Sequence, residues 1–145
     1  MYFDERGFVW RAREIGSHEN DFSLIVTNPR PHTLRGIHYQ EAPHACAKIV
    51  RVISGAVRLV IVNLATGSHT NDILQAGAIL PVEKGFGVGY LTLLPNTVLH
   101  YEMNEPRVIE AERGLRWDDP ALGIDWGVSG PIMNKRDRTW PDWSK

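Results

Sequence analysis

An antiparallel all-β fold, built as a jelly roll or a β-barrel, is what this sequence predicts, and three observations carry the prediction. Short runs rich in Val, Ile, Leu, Tyr and Thr recur along the chain. Thirteen Gly and nine Pro fall at short intervals between them, where strands must reverse. No window holds the i, i+3, i+4, i+7 stripe of an amphipathic helix, so less than about a tenth of the chain is expected in α-helix.

Residues 8–13 and 22–27 are the first predicted strands. Residues 35–40 read as another, on which Arg35 and Ile37 share one face and Gly36, His38 and Gln40 the other. Residues 49–53 lead into Ser54-Gly55, after which Val57, Leu59 and Ile61 alternate with Arg58, Val60 and Val62. Two apolar runs around a Ser-Gly pair predict a hairpin whose second strand is buried on both faces near its centre. After the turn at 63–67, residues 73–82, 88–94 and 97–103 follow as strands, and 108–116 as one more. The set comes to about eight or nine. The segment after Trp126, richer in Pro, Lys and Arg, reads as a looser tail that either docks or frays.

Composition bounds the function. The chain has 145 residues and 16.4 kDa, which fits one domain over residues 1–145. Sixteen Lys and Arg against seventeen Asp and Glu leave a charge of −1, which gives no support to a bulk nucleic-acid binder. The longest aliphatic run, 59–62, is far too short to span a bilayer, and the first residues lack the pattern of a signal peptide. The lone Cys46 excludes an internal disulfide and a Cys-rich zinc site. A cytoplasmic protein with no nucleic-acid or membrane partner is expected.

Chemistry concentrates in Arg35-Gly36-Ile37-His38-Tyr39-Gln40, with Lys48 shortly after, Tyr101 further on, and Trp117-Asp118-Asp119-Pro120 beyond. Together they offer a base (His38), an orienting carboxylate (Asp118 or Asp119), a phenolic acid (Tyr101) and cations (Lys48, Arg35). Those parts suit proton abstraction next to a carbonyl: a base takes the α-proton, a cation steadies the enolate oxygen, and an acid returns a proton to carbon. Each alone has an ordinary reading, as a strand histidine, a rim aromatic, a solvated cation or a turn aspartate. Their joint presence is what points to chemistry.

These segments resemble the dTDP-4-dehydrorhamnose 3,5-epimerase family, nucleotide-sugar epimerases of the cupin type. The resemblance begins at Phe3-Asp4-Glu5-Arg6-Gly7-Phe8 and is strongest at Leu34-Arg35-Gly36-Ile37-His38-Tyr39-Gln40. It continues through Ala47-Lys48-Ile49-Val50-Arg51-Val52 and Tyr101 to Arg116-Trp117-Asp118-Asp119-Pro120 and Leu122-Gly123-Ile124-Asp125-Trp126. It implies a cupin-like jelly roll acting on a dTDP-linked 4-keto-6-deoxy sugar, inverting C3, C5 or both through an enolate. By match of position, His38 is the base, Asp119 its paired carboxylate, Tyr101 the acid on the opposite sugar face and Lys48 the cation beside the ketone. Arg35 matches a diphosphate ligand, and Arg6 an arginine that reaches the nucleotide across a homodimer interface. Asn28 and Gln40 are implied as further site-lining residues.

Two positions depart from the family pattern. Val88 stands where the family has an active-site histidine, which implies a narrower reaction, and Pro106-Arg107 replaces an aromatic pair. Two rival functions use the same residues: a ketoisomerase of the same substrate class, and a non-catalytic nucleotide-sugar-binding cupin. The joint presence of His38, Lys48, Tyr101 and Asp119 argues against a pure binder. The cupin metal pattern is missing, since Tyr39 and Gln40 follow His38 and Val88 fills the later position, so no metal is expected. No G-x-G-x-x-G loop opens a helix, and enolate chemistry requires no redox group, so no cofactor is expected either.

Overall fold

The computed structural model describes residues 2–12 and 22–144. Its strands are β1 (Tyr2–Asp4), β2 (Gly7–Ala12), β3 (Phe22–Asn28), β4 (Leu34–Gln40), β5 (Lys48–Ser54), β6 (Ala56–Asn63), β7 (His69–Gln75), β8 (Ile79–Val82), β9 (Phe86–Thr92), β10 (Thr97–Met103) and β11 (Glu112–Gly114). A 3-10 turn at Ile109–Ala111 and one helical turn, α1 (Lys135–Arg138), complete the described elements. The strands form two antiparallel sheets in the orders β1-β2-β3-β10-β5-β8 and β11-β4-β9-β6-β7. The jelly-roll expectation therefore holds, while the sheets do not close into a barrel.

Several expected elements shift. The hairpin at Ser54-Gly55 does not form: β5 pairs with β10 and β8, and β6 with β7 and β9. The chain crosses from one sheet to the other at Gly55, whose φ of +79° and contact with Thr97 leave no room for a Cβ. Periodicity sees two apolar runs and a turn, and it does not register which neighbour each run pairs with. The predicted strand 73–82 divides into β7 and β8 at a tight turn, where the Gly77 N–H donates to the Val52 carbonyl. The predicted strand 108–116 shrinks to β11 behind the 3-10 turn, and Arg13, the expected end of β2, lies outside the described residues.

Two apolar layers hold the fold. Val50, Val52, Val57, Leu59, Val82, Val88, Tyr90 and Leu99 pack between the sheets. On the other face of the five-stranded sheet, Leu34, Ile37, Val60, Val62 and Leu91 pack against Leu115, Leu122, Trp126 and Met133. β6 thus contributes to both layers, which is why its centre is apolar on both faces, as expected. Gly87 and Gly89 on β9 leave space for Ile37, and Gly89 also for the Trp126 ring. The tail docks. Trp143 Nε1 donates to the Leu64 carbonyl, and Trp126 Nε1 donates to that of Trp117.

Candidate active site

β4 carries most of the site, and its register explains how. Leu34 and Arg35 pair with Leu91 and Tyr90 of β9, but His38 pairs with Val88, so one residue bulges between. Gly36 sits there with φ of +122°, and a Cβ on it would lie 2.5 Å from Gly89 Cα. The bulge reverses the alternation. Arg35, His38 and Gln40 face the interior between the sheets, whereas Leu34 and Ile37 enter the outer layer. The expected pairing of Arg35 with Ile37 on one face is therefore corrected by a single inserted residue.

The interior opens into a cavity of about 510 Å³. Arg35, His38, Gln40, Val88, Tyr90 and Glu112 line it from one sheet, and Lys48, Tyr101 and Met103 from the other. His38 and Tyr101 thus stand on opposite walls, with Lys48 on the strand beside Tyr101, where Met103 pairs with Lys48. Six expected residues (Arg6, Arg35, His38, Gln40, Lys48 and Tyr101) are brought to one space.

The partner of His38 is a different aspartate from the one expected. His38 Nε2 lies 2.7 Å from Asp137 Oδ1. Asp119 is buried elsewhere. Its Oδ1 accepts from the Ala121 N–H at 2.8 Å and its Oδ2 from the Trp143 N–H at 2.7 Å, so it anchors the tail. The dyad with Asp119 is corrected accordingly: an Asp-Asp-Pro turn uses its carboxylate on free backbone N–H groups, which is the ordinary reading of that sequence.

Asp137 is held from every side. Asn134 caps α1 by accepting from the Asp137 N–H at 2.8 Å, which sets the side chain facing inward. Its Oδ2 accepts from Arg6 Nη1 at 2.6 Å and from the Gly36 N–H at 3.3 Å, and Oδ1 also accepts from Trp140 Nε1 at 3.3 Å. Burial works against its charge, yet His38, Arg6 and the Gly36 N–H together bring its pKa down to about 2. An ionised carboxylate can only accept, so His38 Nε2 carries the hydrogen toward Asp137 and Nδ1 is the ring nitrogen left to take up a proton. That arrangement is a base ready to take a proton.

On the other wall, burial pushes the Tyr101 phenol well above its ordinary value, with the nearby Tyr90 adding to the shift and Arg35 opposing it. Tyr101 therefore stays protonated and able to donate. Burial lowers the Lys48 ammonium, against the pull of Cys46 and Glu112, which makes it a readier proton donor to oxygen. Arg35 Nε donates to Asn28 Oδ1 at 2.8 Å, and Asn28 Nδ2 to Tyr90 Oη at 3.2 Å. Asn28 is fully buried and absent from the cavity lining, so its expected place in the site is corrected to one layer behind it, fixing Arg35. Gln40 lines the cavity, but its amide is committed to the His44 and Pro106 carbonyls and the Val108 N–H.

Glu112, Arg136 and Tyr90 also line the cavity and were missed in the sequence. Glu112 accepts from Arg107 at 2.7 Å and Arg136 at 3.3 Å. Burial opposes its ionisation, but Arg107 and then His38 hold its pKa below the usual range. The signal for Asp137 was present as Asn134-Lys135-Arg136-Asp137, an N-cap residue with an acid at the third helical position. Among the described residues, no group of three or more His, Cys, Asp or Glu side chains is placed to hold a metal ion.

The whole chain, residues 1–145, matches the family model described as dTDP-4-dehydrorhamnose 3,5-epimerase. It is 35% identical over 147 residues to the enzyme of that name from Sinorhizobium fredii, covering 96% of this chain and 74% of that one. Among solved structures it is similar to the dTDP-4-dehydrorhamnose 3,5-epimerase of Bacillus anthracis with TDP and PPi bound. The TM-score there is 0.79 at 34% identity, over 83% of this chain and 73% of that one. A Legionella pneumophila 3,5-epimerase in complex with dTDP-4-keto-L-rhamnose gives a TM-score of 0.74 at 25% identity, over 98% and 83% of the two chains.

Proposed function

The chain belongs to the dTDP-4-dehydrorhamnose 3,5-epimerase family, and from that premise we propose the residues by which it epimerises a dTDP-linked 4-keto sugar. The observation that carries the reading is the His38–Asp137 pair on one wall of a cavity whose other wall holds Tyr101 and Lys48.

Asp137, ionised and fixed, orients His38 and steadies the imidazolium that forms when Nδ1 takes the proton from the carbon next to the ketone. The electron pair moves toward the ketone oxygen. There Lys48 meets the developing charge inside a site walled by Val88 and Met103, where an ammonium acts more strongly than it would in water. Tyr101 then returns a proton to the same carbon from the opposite wall, and that change of face is the inversion. Arg35, braced by Asn28, presents its remaining guanidinium N–H groups to the diphosphate.

Val88 pairs directly with His38 across β4 and β9, is buried, and presents a hydrocarbon surface to the cavity. A side chain with no donor or acceptor cannot help seat the sugar for a second proton removal. Incubation of the protein with dTDP-4-keto-6-deoxyglucose in D₂O, followed by NMR, is expected to label one of C3 and C5 efficiently and the other at least about tenfold more slowly. No label at either carbon would contradict the epimerase reading. Equal labelling and inversion at both would remove the inference from Val88 alone.

The proposal treats residues 1–145 as one epimerase domain and extends to a homodimer. Phe3 and Phe8 on the β1–β2 edge lie with ring centroids 4.9 Å apart and the rings tilted by 41°, both exposed, and a second copy would cover them. Among the described residues no helix is long and apolar enough to cross a membrane. Cys46 is buried with its thiol free, which suits the reducing cytoplasm that we propose as its location.

A further inference from the structure

We propose that Arg6 is a positioning residue for the His38–Asp137 base, and that it ties the docking of the β1–β2 turn to proton abstraction. The inference rests on the reading of that pair given above. It replaces the expectation that Arg6 reaches the nucleotide.

Arg6 lies in the turn between β1 and β2 and is 6% exposed. Its Nε donates to both oxygens of Asp4, at 3.1 and 3.0 Å, and its Nη2 to Asp4 Oδ2 at 2.6 Å. Its Nη1 donates to Asp137 Oδ2 at 2.6 Å, on the oxygen not used by His38. Asp4 and Asp137 thereby engage all three guanidinium nitrogens, so the orientation of the fork is set by two carboxylates. The geometry suits a brace. Asp4 locks the guanidinium plane, the guanidinium locks Asp137, and Asp137 locks the imidazole at the angle that leaves Nδ1 free.

The charge of Arg6 matters as well as its reach. A bare carboxylate beside His38 would favour the protonated ring and use up the base. A guanidinium on the far oxygen offsets part of that carboxylate charge, while Asp4 moderates the guanidinium in turn. The other charged groups around the pair are Glu112 on β11, bonded to Arg107 and Arg136, with Arg35 on β4 and Lys48 on β5 lining the same cavity. Among the described residues, none of these five hydrogen-bonds to Asp137, so Arg6 is the cation bonded to its carboxylate.

Arg6→Gln and Arg6→Lys test this, with dTDP-4-keto-6-deoxyglucose as substrate across pH 5 to 9, dTDP binding by calorimetry, and circular dichroism to confirm folding. Arg6→Gln is expected to lower kcat about 10- to 100-fold, as misplacement of a catalytic group does, with KM and the dTDP Kd within about twofold. The acid limb of its pH–rate profile, which belongs to the dyad as a unit, is expected to move up by about one pH unit. Arg6→Lys keeps the charge and should return the limb to its original place. A rise of tenfold or more in KM and dTDP Kd with kcat intact would make Arg6 a nucleotide ligand and overturn the proposal. A lowered kcat with an unmoved limb would reduce it to a structural residue, with the same consequence. Should Arg6→Gln not fold, Asp4→Asn decides: it uncovers the guanidinium charge beside Asp137, so the limb should move to lower pH, and an unmoved limb overturns the proposal. His38→Ala separates the two levels, because exchange at the wild-type rate in that variant would sink the underlying base assignment, whatever Arg6 does.

Discussion

His38→Ala is expected to lose solvent deuterium exchange next to the substrate ketone by about a hundred- to ten-thousandfold, while dTDP binding stays within about twofold. The size follows from the role. His38 Nδ1 is the lone pair that the Asp137 hydrogen bond leaves available, and the remaining cavity-lining groups are ill suited to replace it. Tyr101 is held protonated, Lys48 is the group proposed to face the ketone oxygen, and Glu112 is tied to two arginines. Binding survives because the guanidinium of Arg35 is fixed by Asn28 rather than by the imidazole. The measurement is the NMR rate of label entry, normalised to enzyme, alongside calorimetric titration with dTDP.

Tyr101→Phe is expected to separate the two halves of the reaction. Proton removal by His38 needs no phenol, so label should still enter the substrate, now delivered back from the same face. Inversion needs a donor on the opposite wall, and the hydroxyl is the group that burial keeps protonated there. Inverted product should therefore fall by about a hundredfold or more while exchange remains within about tenfold. Inverted product at the wild-type rate would assign the return of the proton to another group or to water.

Periodicity made the strands visible, because β-sheet burial imprints alternation on Val57 to Val62 and on the runs that follow. It could not show that β5 and β6 belong to different sheets, since pairing partners are chosen by tertiary packing and leave no local mark. The bulge at Gly36 was hidden for the same reason: a glycine inside a strand pattern admits a bulge without requiring one, and the facing of Arg35 and Ile37 depends on which occurs.

The site was legible where motif and geometry coincide. His38, Lys48, Tyr101 and Arg35 sit in matched segments and line one cavity. Asp137 was not, because a four-residue helix has too short a pattern to stand out, and the Pro-, Lys- and Arg-rich tail around it reads only as a looser segment that docks or frays. Asp119 drew the assignment instead. It lies in the matched segment between Trp117 and Pro120, yet its buried carboxylate is spent on the Ala121 and Trp143 N–H groups.

The choice between those two aspartates tests the whole account most directly. Asp137→Asn and Asp119→Asn can be compared side by side for label entry from D₂O into dTDP-4-keto-6-deoxyglucose. An amide at 137 can still hold His38 in place, but it cannot stabilise the imidazolium, and exchange should fall by about a hundredfold or more. An amide at 119 should leave exchange within about threefold of wild type and instead lower the melting temperature, as the tail loses part of its anchor at a cost of about 1–3 kcal/mol. The reverse pattern, with exchange lost in Asp119→Asn and kept in Asp137→Asn, would contradict the account at its centre.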